Sequence, residues 1–474
     1  MTSFLSEICK KKDMAIKTNG FSLGFDVPRN RSYPLKKIDF NKPIIISEIK
    51  KKSPFSKSLK PNLDIINLAR IYLDSGSSAI SVQCAEEFGG SLADLIAVKK
   101  AFPNAVILRN DFILYKEEIE ISYLCGADMV LLSTSIFLNK KDYFKEILLM
   151  CKNFSIIPII EISSEIELNF ALEFDISLLS INARNLDTFK LNKFNAINLK
   201  QKISPTIKVI FNEVECDFSA YLVSSAGFGG ILCGEYILKH NRPSLAISGL
   251  RKSFLNGKKD GFYKKFFAKL DSTLIKICGI RNIDESIFVA RQNIDMIGFV
   301  LFGSTRRIEI PTLKSISKIL SKYYPNIIKV GIIKDDKNNL REARNLLEYG
   351  IIECLEFNNA NTNEANFYAK YNLKKANFAF YPSFEIESLK DLPQDFVAPF
   401  YLANIINQND ILDFKMLEKL SKDMLFLSMQ SNQTNINFFK KIKIRMLNLS
   451  LLDETISIQK DNLERIIRIL RSGN

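Results

Sequence analysis

A single histidine, His240, stands in a chain of 474 residues. Its isolation weighs against a Ser-His-Asp triad and against any metal site built from several histidines. The eight cysteines include no Cys-x-x-Cys pair, and most, such as Cys84, Cys125 and Cys233, lie in apolar runs. That usage fits reduced, buried thiols of a cytoplasmic protein better than a disulfide framework. No uninterrupted apolar run reaches the roughly 18 residues of a membrane span, so no membrane association is expected. Residues 1–17 hold no long apolar stretch, and no signal peptide is expected. Zinc-finger spacing and RNA-binding aromatic motifs are missing as well.

What is present is a length sufficient for two domains of about 200 to 250 residues each. Hydrophobic residues make up 47% and charged residues 25%, so each half can bury a large core. The net charge is +14. The lysines are scattered among acidic residues, as at Lys10 to Lys12, Lys50 to Lys52 and Lys258 to Lys265. This is the pattern of solvated faces, not of a nucleic-acid stripe, and it leaves room for a small anionic substrate. No nucleic-acid partner is expected, and the expected state is a monomer.

Short apolar runs recur at intervals of roughly 20 to 30 residues, the repeat of βα units. In the first half they fall at 43–50, 78–84, 105–111, 127–133, 156–162, 176–184, 207–214 and 229–235. Segments with helical periodicity, such as 63–74, 116–125 and 141–151, lie between them. Eight buried strands alternating with helices predict a closed parallel barrel. An open doubly wound sheet is the alternative, but it favours a glycine-rich first turn, and 50–57 has no glycine. Residues 1–40 precede the first strand and predict an extra helix. A second set of eight runs falls at 274–280, 296–302, 327–333, 351–357, 377–383, 400–406, 424–429 and 444–450. The expected fold class is therefore α/β, with two tandem (βα)8 TIM barrels. The charged stretch around Lys258 to Gly261 sets the boundary: a first barrel over 1–255, a linker over 256–272 and a second barrel over 273–474.

Barrel active sites form at the C-terminal ends of the strands. In the first half the polar residues there are Glu48, Lys50, Asn110, Asp111, Glu161, Asn182, Arg184 and Glu213. Any one of them could be a rim salt bridge. Together they come from five of the eight strands, and a lysine and an arginine among carboxylates suit acid–base work on an anion.

These residues sit in motifs that resemble the indole-3-glycerol-phosphate synthase family. Glu48-Ile-Lys-Lys-Lys-Ser-Pro54 is similar to its first-strand signature, and Ala79-Ile-Ser-Val82 with Phe88-Gly-Gly-Ser-Leu92 to its second strand and loop. Leu108-Arg-Asn-Asp-Phe-Ile113, Gly126-Ala-Asp-Met-Val-Leu-Leu132 and Ile181-Asn-Ala-Arg-Asn-Leu186 are similar to the third, fourth and sixth. The resemblance implies ring closure of a carboxyphenylamino deoxyribulose phosphate, with loss of carbon dioxide and water and with no cofactor or metal. It implies that Lys50 holds the substrate carboxylate and Glu161 is the general base. Glu48, Asn182 and Glu213 would complete the mouth and Arg184 would orient the substrate. Ser53 and the backbone at Gly234 would receive the phosphate. Three departures stand out, one of them that the first-strand motif reads Ser53-Pro-Phe-Ser-Lys-Ser58 without the family's following glycine. Asn110 replaces the family's general-acid lysine, and Val214 and Glu215 replace a Ser-Gly pair. An amide cannot deliver a proton, and losing a general acid costs about 10²- to 10⁴-fold. Either Lys50 or a repositioned Lys51 supplies the acid, or only a binding role remains.

In the second half, Lys276-Ile-Cys-Gly-Ile280, Ile297-Gly-Phe-Val300 and Ser304-Thr-Arg-Arg307 resemble phosphoribosylanthranilate isomerase. The resemblance implies Cys278 as general base and Arg306 as a substrate-binding residue. Further along it fades. The family's Gln-Leu-His-Gly reads Cys354-Leu-Glu-Phe357, its acidic sixth-strand residue falls at Ala403, and its phosphate-loop glycines are replaced. Little or no isomerase activity is expected. Three readings stay open: a synthase with a decayed second barrel, a fully bifunctional enzyme, and a barrel pair that binds or assembles without catalysis.

Overall fold

The computed structural model describes residues 4–53, 63–184, 191–270, 272–302, 306–334, 337–358, 364–386, 397–405, 425–428, 446–450 and 460–471. The chain forms two compact units, Met1–Lys259 and Asp260–Asn474. In the first, β1 (Ile44–Ile49), β2 (Ala79–Gln83), β3 (Ile107–Asn110), β4 (Met129–Ser133), β5 (Ile157–Ile162), β6 (Leu178–Asn182), β7 (Lys208–Asn212) and β8 (Gly230–Cys233) close into a parallel barrel. The seam pairs β8 with β1, Leu232 opposite Ile46. In the second, β9 (Leu274–Cys278), β10 (Met296–Val300), β11 (Ile328–Lys334), β12 (Cys354–Asn358), β13 (Phe380–Ile386), β14 (Tyr401–Ile405), β15 (Leu425–Ser428) and β16 (Met446–Ser450) do the same, with β16 returning to β9. Each strand overlaps one of the apolar runs, so the tandem-barrel expectation holds.

The period-two alternation of a strand decides which side chains enter the first barrel. Ile44, Ile46, Leu108, Ile159, Leu178, Ile210 and Leu232 form its buried core cluster. Counting two residues onward gives the upper layer: Glu48, Asn110, Glu161 and Asn212 on four strands and Gly234 just past a fifth, with Asn182 two beyond the buried Ser180. The apolar floor and the polar mouth are thus one continuous pattern.

The intervening residues face the outer helices. Arg109, wholly buried, donates to Asp111 at 2.6 Å, to Glu118 at 3.1 Å and to Ser122 at 2.9 Å. The N-terminal helix Phe4–Asn19 adds Lys12, whose Nζ lies 3.0 Å from Asp111 and 2.7 Å from Glu118. Burial alone would raise the Asp111 carboxyl, but Lys12 and Arg109 outweigh it and hold it down to about 2. Asp111, which the sequence placed at the mouth, therefore clamps the N-terminal helix instead.

The segment 256–272, expected as a linker, is largely helical. It holds the end of the helix Pro243–Lys259 and the helix Phe262–Phe267. The latter belongs to the second unit: Phe266 stacks on Phe400 with centroids 4.4 Å apart, and the Tyr263 hydroxyl donates to the Phe380 carbonyl at 2.8 Å. Among the described residues no helix is long and apolar enough to cross a membrane.

Candidate active site

Glu48 stands at the end of β1, 5% exposed. The Asn110 amide donates to its Oε1 at 2.6 Å, and the Lys50 Nζ lies 3.6 Å from its Oε2. Burial raises the Glu48 carboxyl above its ordinary range and Glu213 adds to this, while Lys50 and Asn110 oppose it. Burial would lower the Lys50 ammonium, but Glu48, Glu213 and Glu235 hold it above an ordinary lysine. Lys50 therefore stays charged, 5.4 Å over the Phe88 ring. Gly234 matters here because of close approach. A Cβ at that position would meet Glu48 Oε2 at 2.4 Å.

Glu161 comes from β5. Asn212 donates to its Oε2 at 3.1 Å and Asn182 reaches the same oxygen at 3.4 Å. Burial pushes the Glu161 carboxyl up to about 7, against Asn212 and with help from Glu167, Glu213 and Glu48. A carboxyl that titrates near neutrality is suited to exchange protons with a substrate. The Arg184 guanidinium lies 3.2 Å from Glu213 Oε2, and the Arg184 amide donates to Asn182 Oδ1 at 3.0 Å. Glu213 has φ +78°, the left-handed region that non-glycine residues rarely adopt. It follows the inward-facing Asn212, so the turn of the chain lets two consecutive residues serve the mouth.

Ser53, after β1, donates to Glu235 Oε2 at 3.2 Å, beside Gly234 after β8. The two residues expected at the phosphate are thus brought together across the β8–β1 seam. Val214, where a serine was expected, is buried, and Glu215 turns to Lys193 at 2.8 Å. Lys51, considered as a substitute acid, is held by Asp94 at 2.7 Å and is not delivered to the mouth. Asn212 was missed by the sequence reading. It looked like one more residue of the run 207–214, although the period-two count from Ile210 points to it.

In the second barrel Cys278 lies at the end of β9, and its Sγ donates to Asn448 Oδ1 at 2.8 Å. Burial pushes the thiol up to about 11. Two residues deeper, the fully buried Lys276 pairs with Glu356, which also accepts from the Tyr381 hydroxyl at 2.9 Å. Arg306 is half-buried in the turn beyond β10. Position 403 is on the sixth strand, opposite positions 384 and 427. Ser304, Thr305, 406–410 and 451–452 lie outside the described residues. Among the described residues no group of three or more histidine, cysteine or carboxylate side chains is arranged to hold a metal ion.

Acid–base groups gathered on the C-terminal ends of a closed parallel ring define the class, a (βα)8 barrel enzyme. The family model described as indole-3-glycerol phosphate synthase matches residues 27–250. The indole-3-glycerol phosphate synthase of Carboxydothermus hydrogenoformans is 32% identical over 212 residues, covering 44% of this chain and 78% of that protein. The chain belongs to the indole-3-glycerol phosphate synthase family. A multifunctional tryptophan biosynthesis protein of Schizosaccharomyces pombe is 26% identical over 288 residues, 58% of this chain, but the chain spans only 36% of that relative. Among solved structures, phosphoribosylanthranilate isomerase of Thermotoga maritima aligns with 42% of this chain and 98% of its own, at 15% identity and a TM-score of 0.33.

Proposed function

We propose that the first barrel is an indole-3-glycerol-phosphate synthase. Its substrate is a small phosphorylated molecule, 1-(2-carboxyphenylamino)-1-deoxyribulose 5-phosphate, which closes a ring and loses carbon dioxide and water without a cofactor. The observation that carries this is the Glu161 carboxyl poised at about 7 in a mouth whose Glu48 also holds a charged Lys50. The Lys50 ammonium receives the carboxylate that departs as carbon dioxide, and Glu161 takes up the proton whose removal drives dehydration. Glu48 and Glu213 line the mouth, Asn182 steadies Glu161, and Arg184 orients the sugar chain. Ser53 and the Gly234 backbone take the phosphate, displacing the Ser53–Glu235 contact. The reading includes a cytoplasmic location and a monomer in solution, the latter read by light scattering.

Asn110 cannot protonate the substrate, so the enzyme is slow. A fluorescence assay for indoleglycerol phosphate on wild type and Asn110→Lys tests this. Turnover above background is expected in wild type, with kcat raised in the variant by up to about 10²-fold, the low end of general-acid effects. No turnover in either protein overturns the proposal and favours a binding module. The second barrel contributes little or no isomerase activity. A Cys278 thiol pushed up to about 11 and bonded to Asn448 is a poor base at neutral pH. Ordinary turnover of phosphoribosylanthranilate by the full chain would show the bifunctional reading to be right.

A further inference from the structure

Asn182 and Asn212 are register partners on β6 and β7, and both amides reach one oxygen of Glu161 on β5. Asn212 is the closer, at 3.1 Å against 3.4 Å. It is 8% exposed, on the inward face set by Ile210. Asn182 is divided, since its carbonyl oxygen also accepts the Arg184 amide at 3.0 Å. Among the described residues Glu161 Oε1 accepts no hydrogen bond. One oxygen is anchored and the other is left to a proton. Three carboxylates raise this carboxyl further, Glu167 from the helix Glu165–Ala171, Glu213 after β7 and Glu48 from β1, while Lys50 and Arg184 are paired with Glu48 and Glu213. No lysine or arginine pairs with Glu161 among the described residues. Amide donors are what is left to favour its ionised form.

We propose that Asn212 is a positioning residue of the first barrel: its amide fixes Glu161 Oε2 and aims Oε1 at the substrate. This rests on the synthase reading of the same mouth for its consequence in turnover, but the contact and its effect on Glu161 do not depend on it. Removing the donor leaves the carboxyl among three like charges and the longer Asn182 contact.

The test uses the full chain as wild type, Asn212→Ala, Asn212→Ser and Glu161→Gln. An infrared pH titration follows the Glu161 carboxyl band, identified by its loss in Glu161→Gln, and the pH dependence of kcat/KM is read in parallel. In Asn212→Ala the Glu161 midpoint and the acid limb of the profile both move up by about one pH unit, a tenfold change in the ionised fraction at a given low pH. Well above both midpoints KM stays near wild type. Asn212→Ser keeps a donor and shifts less. It also carries the test if the alanine variant does not fold. A folded variant with an unmoved midpoint overturns the proposal. A moved midpoint in a wild-type background without turnover leaves the positioning role standing and removes the synthase reading. Turnover with an unmoved midpoint removes the positioning role alone.

Discussion

In the first barrel the ionisable groups crowd the ends of the strands, while among the described residues of the second Lys276, Glu356 and Tyr381 lie deeper in the ring. Glu48, Lys50 and Glu161 keep 5 to 9% of their surface in contact with the mouth. Lys276 and Tyr381 keep none. The first set is under-compensated. Glu48 meets Lys50 and Glu213 meets Arg184, while Glu161 is met by amides. Burial displaces the Glu48 and Glu161 carboxyls upward, and neighbouring carboxylates add to it. The second set is closed on itself. Burial would lower the Lys276 ammonium, but Cys278 and Glu356 hold it above its ordinary value, and Glu356 takes a further bond from Tyr381. Charge inside a barrel is thus of two kinds. A pair that satisfies itself is a structural element, whereas a surplus of one sign is poised for chemistry.

The sharpest way to break this comparison is to take one group from each set. Glu161→Gln keeps the shape of the first mouth and removes its proton acceptor. Synthase kcat should fall by about 10²- to 10⁴-fold. Cys278→Ser should leave the same assay unchanged. Equal losses would mean that the two barrels share one activity. The second barrel should answer in stability. Lys276→Met strands the Glu356 carboxylate in an apolar ring, which costs about 3–5 kcal/mol. Hydrogen exchange at the β9 and β12 amides reads this in place. Adding Glu356→Leu should restore most of the loss. A single variant with unchanged protection would show that the pair does not hold the ring.

The same contrast explains what could be read without coordinates. Each barrel repeats an apolar strand of about six residues, and that repeat survives any change in the loops, so the tandem architecture and most of the first mouth were visible. Strand alternation was the unused information. Applied to β3, it sends Asn110 inward and Arg109 and Asp111 outward. The partner that proves it, Lys12, lies 99 positions earlier by subtraction of 12 from 111, in a helix preceding every strand. Applied to β7, it selects Asn212 in advance of Glu213. The Lys276–Glu356 pair was illegible for another reason. Lys276 is a lone polar interruption of its apolar run and Glu356 is one of two glutamates in its own, and only barrel closure brings them together.

The smallest effect sharpens the comparison most, because it uses the activity-destroying variant in the opposite sense. The Glu161 carboxyl titrates at about 7 in the fold against an ordinary 4.5, so folding favours its protonated form. The stability contributed by that form is fully present below the ordinary value and is lost as pH rises through 7. At pH 8 the wild type carries a buried carboxylate and Glu161→Gln carries a neutral amide of the same shape. The variant should then be more stable by up to about 3 kcal/mol, from roughly 2.5 pH units of displacement. Below about pH 4.5 the gain should vanish, since both side chains are neutral. Thermal denaturation of the two proteins at both pH values checks the sign. Equal melting temperatures at pH 8 would mean that Glu161 is as well compensated as Lys276–Glu356. A gain confined to high pH would mark Glu161 as a group kept at the expense of the fold, as expected of a residue retained for chemistry.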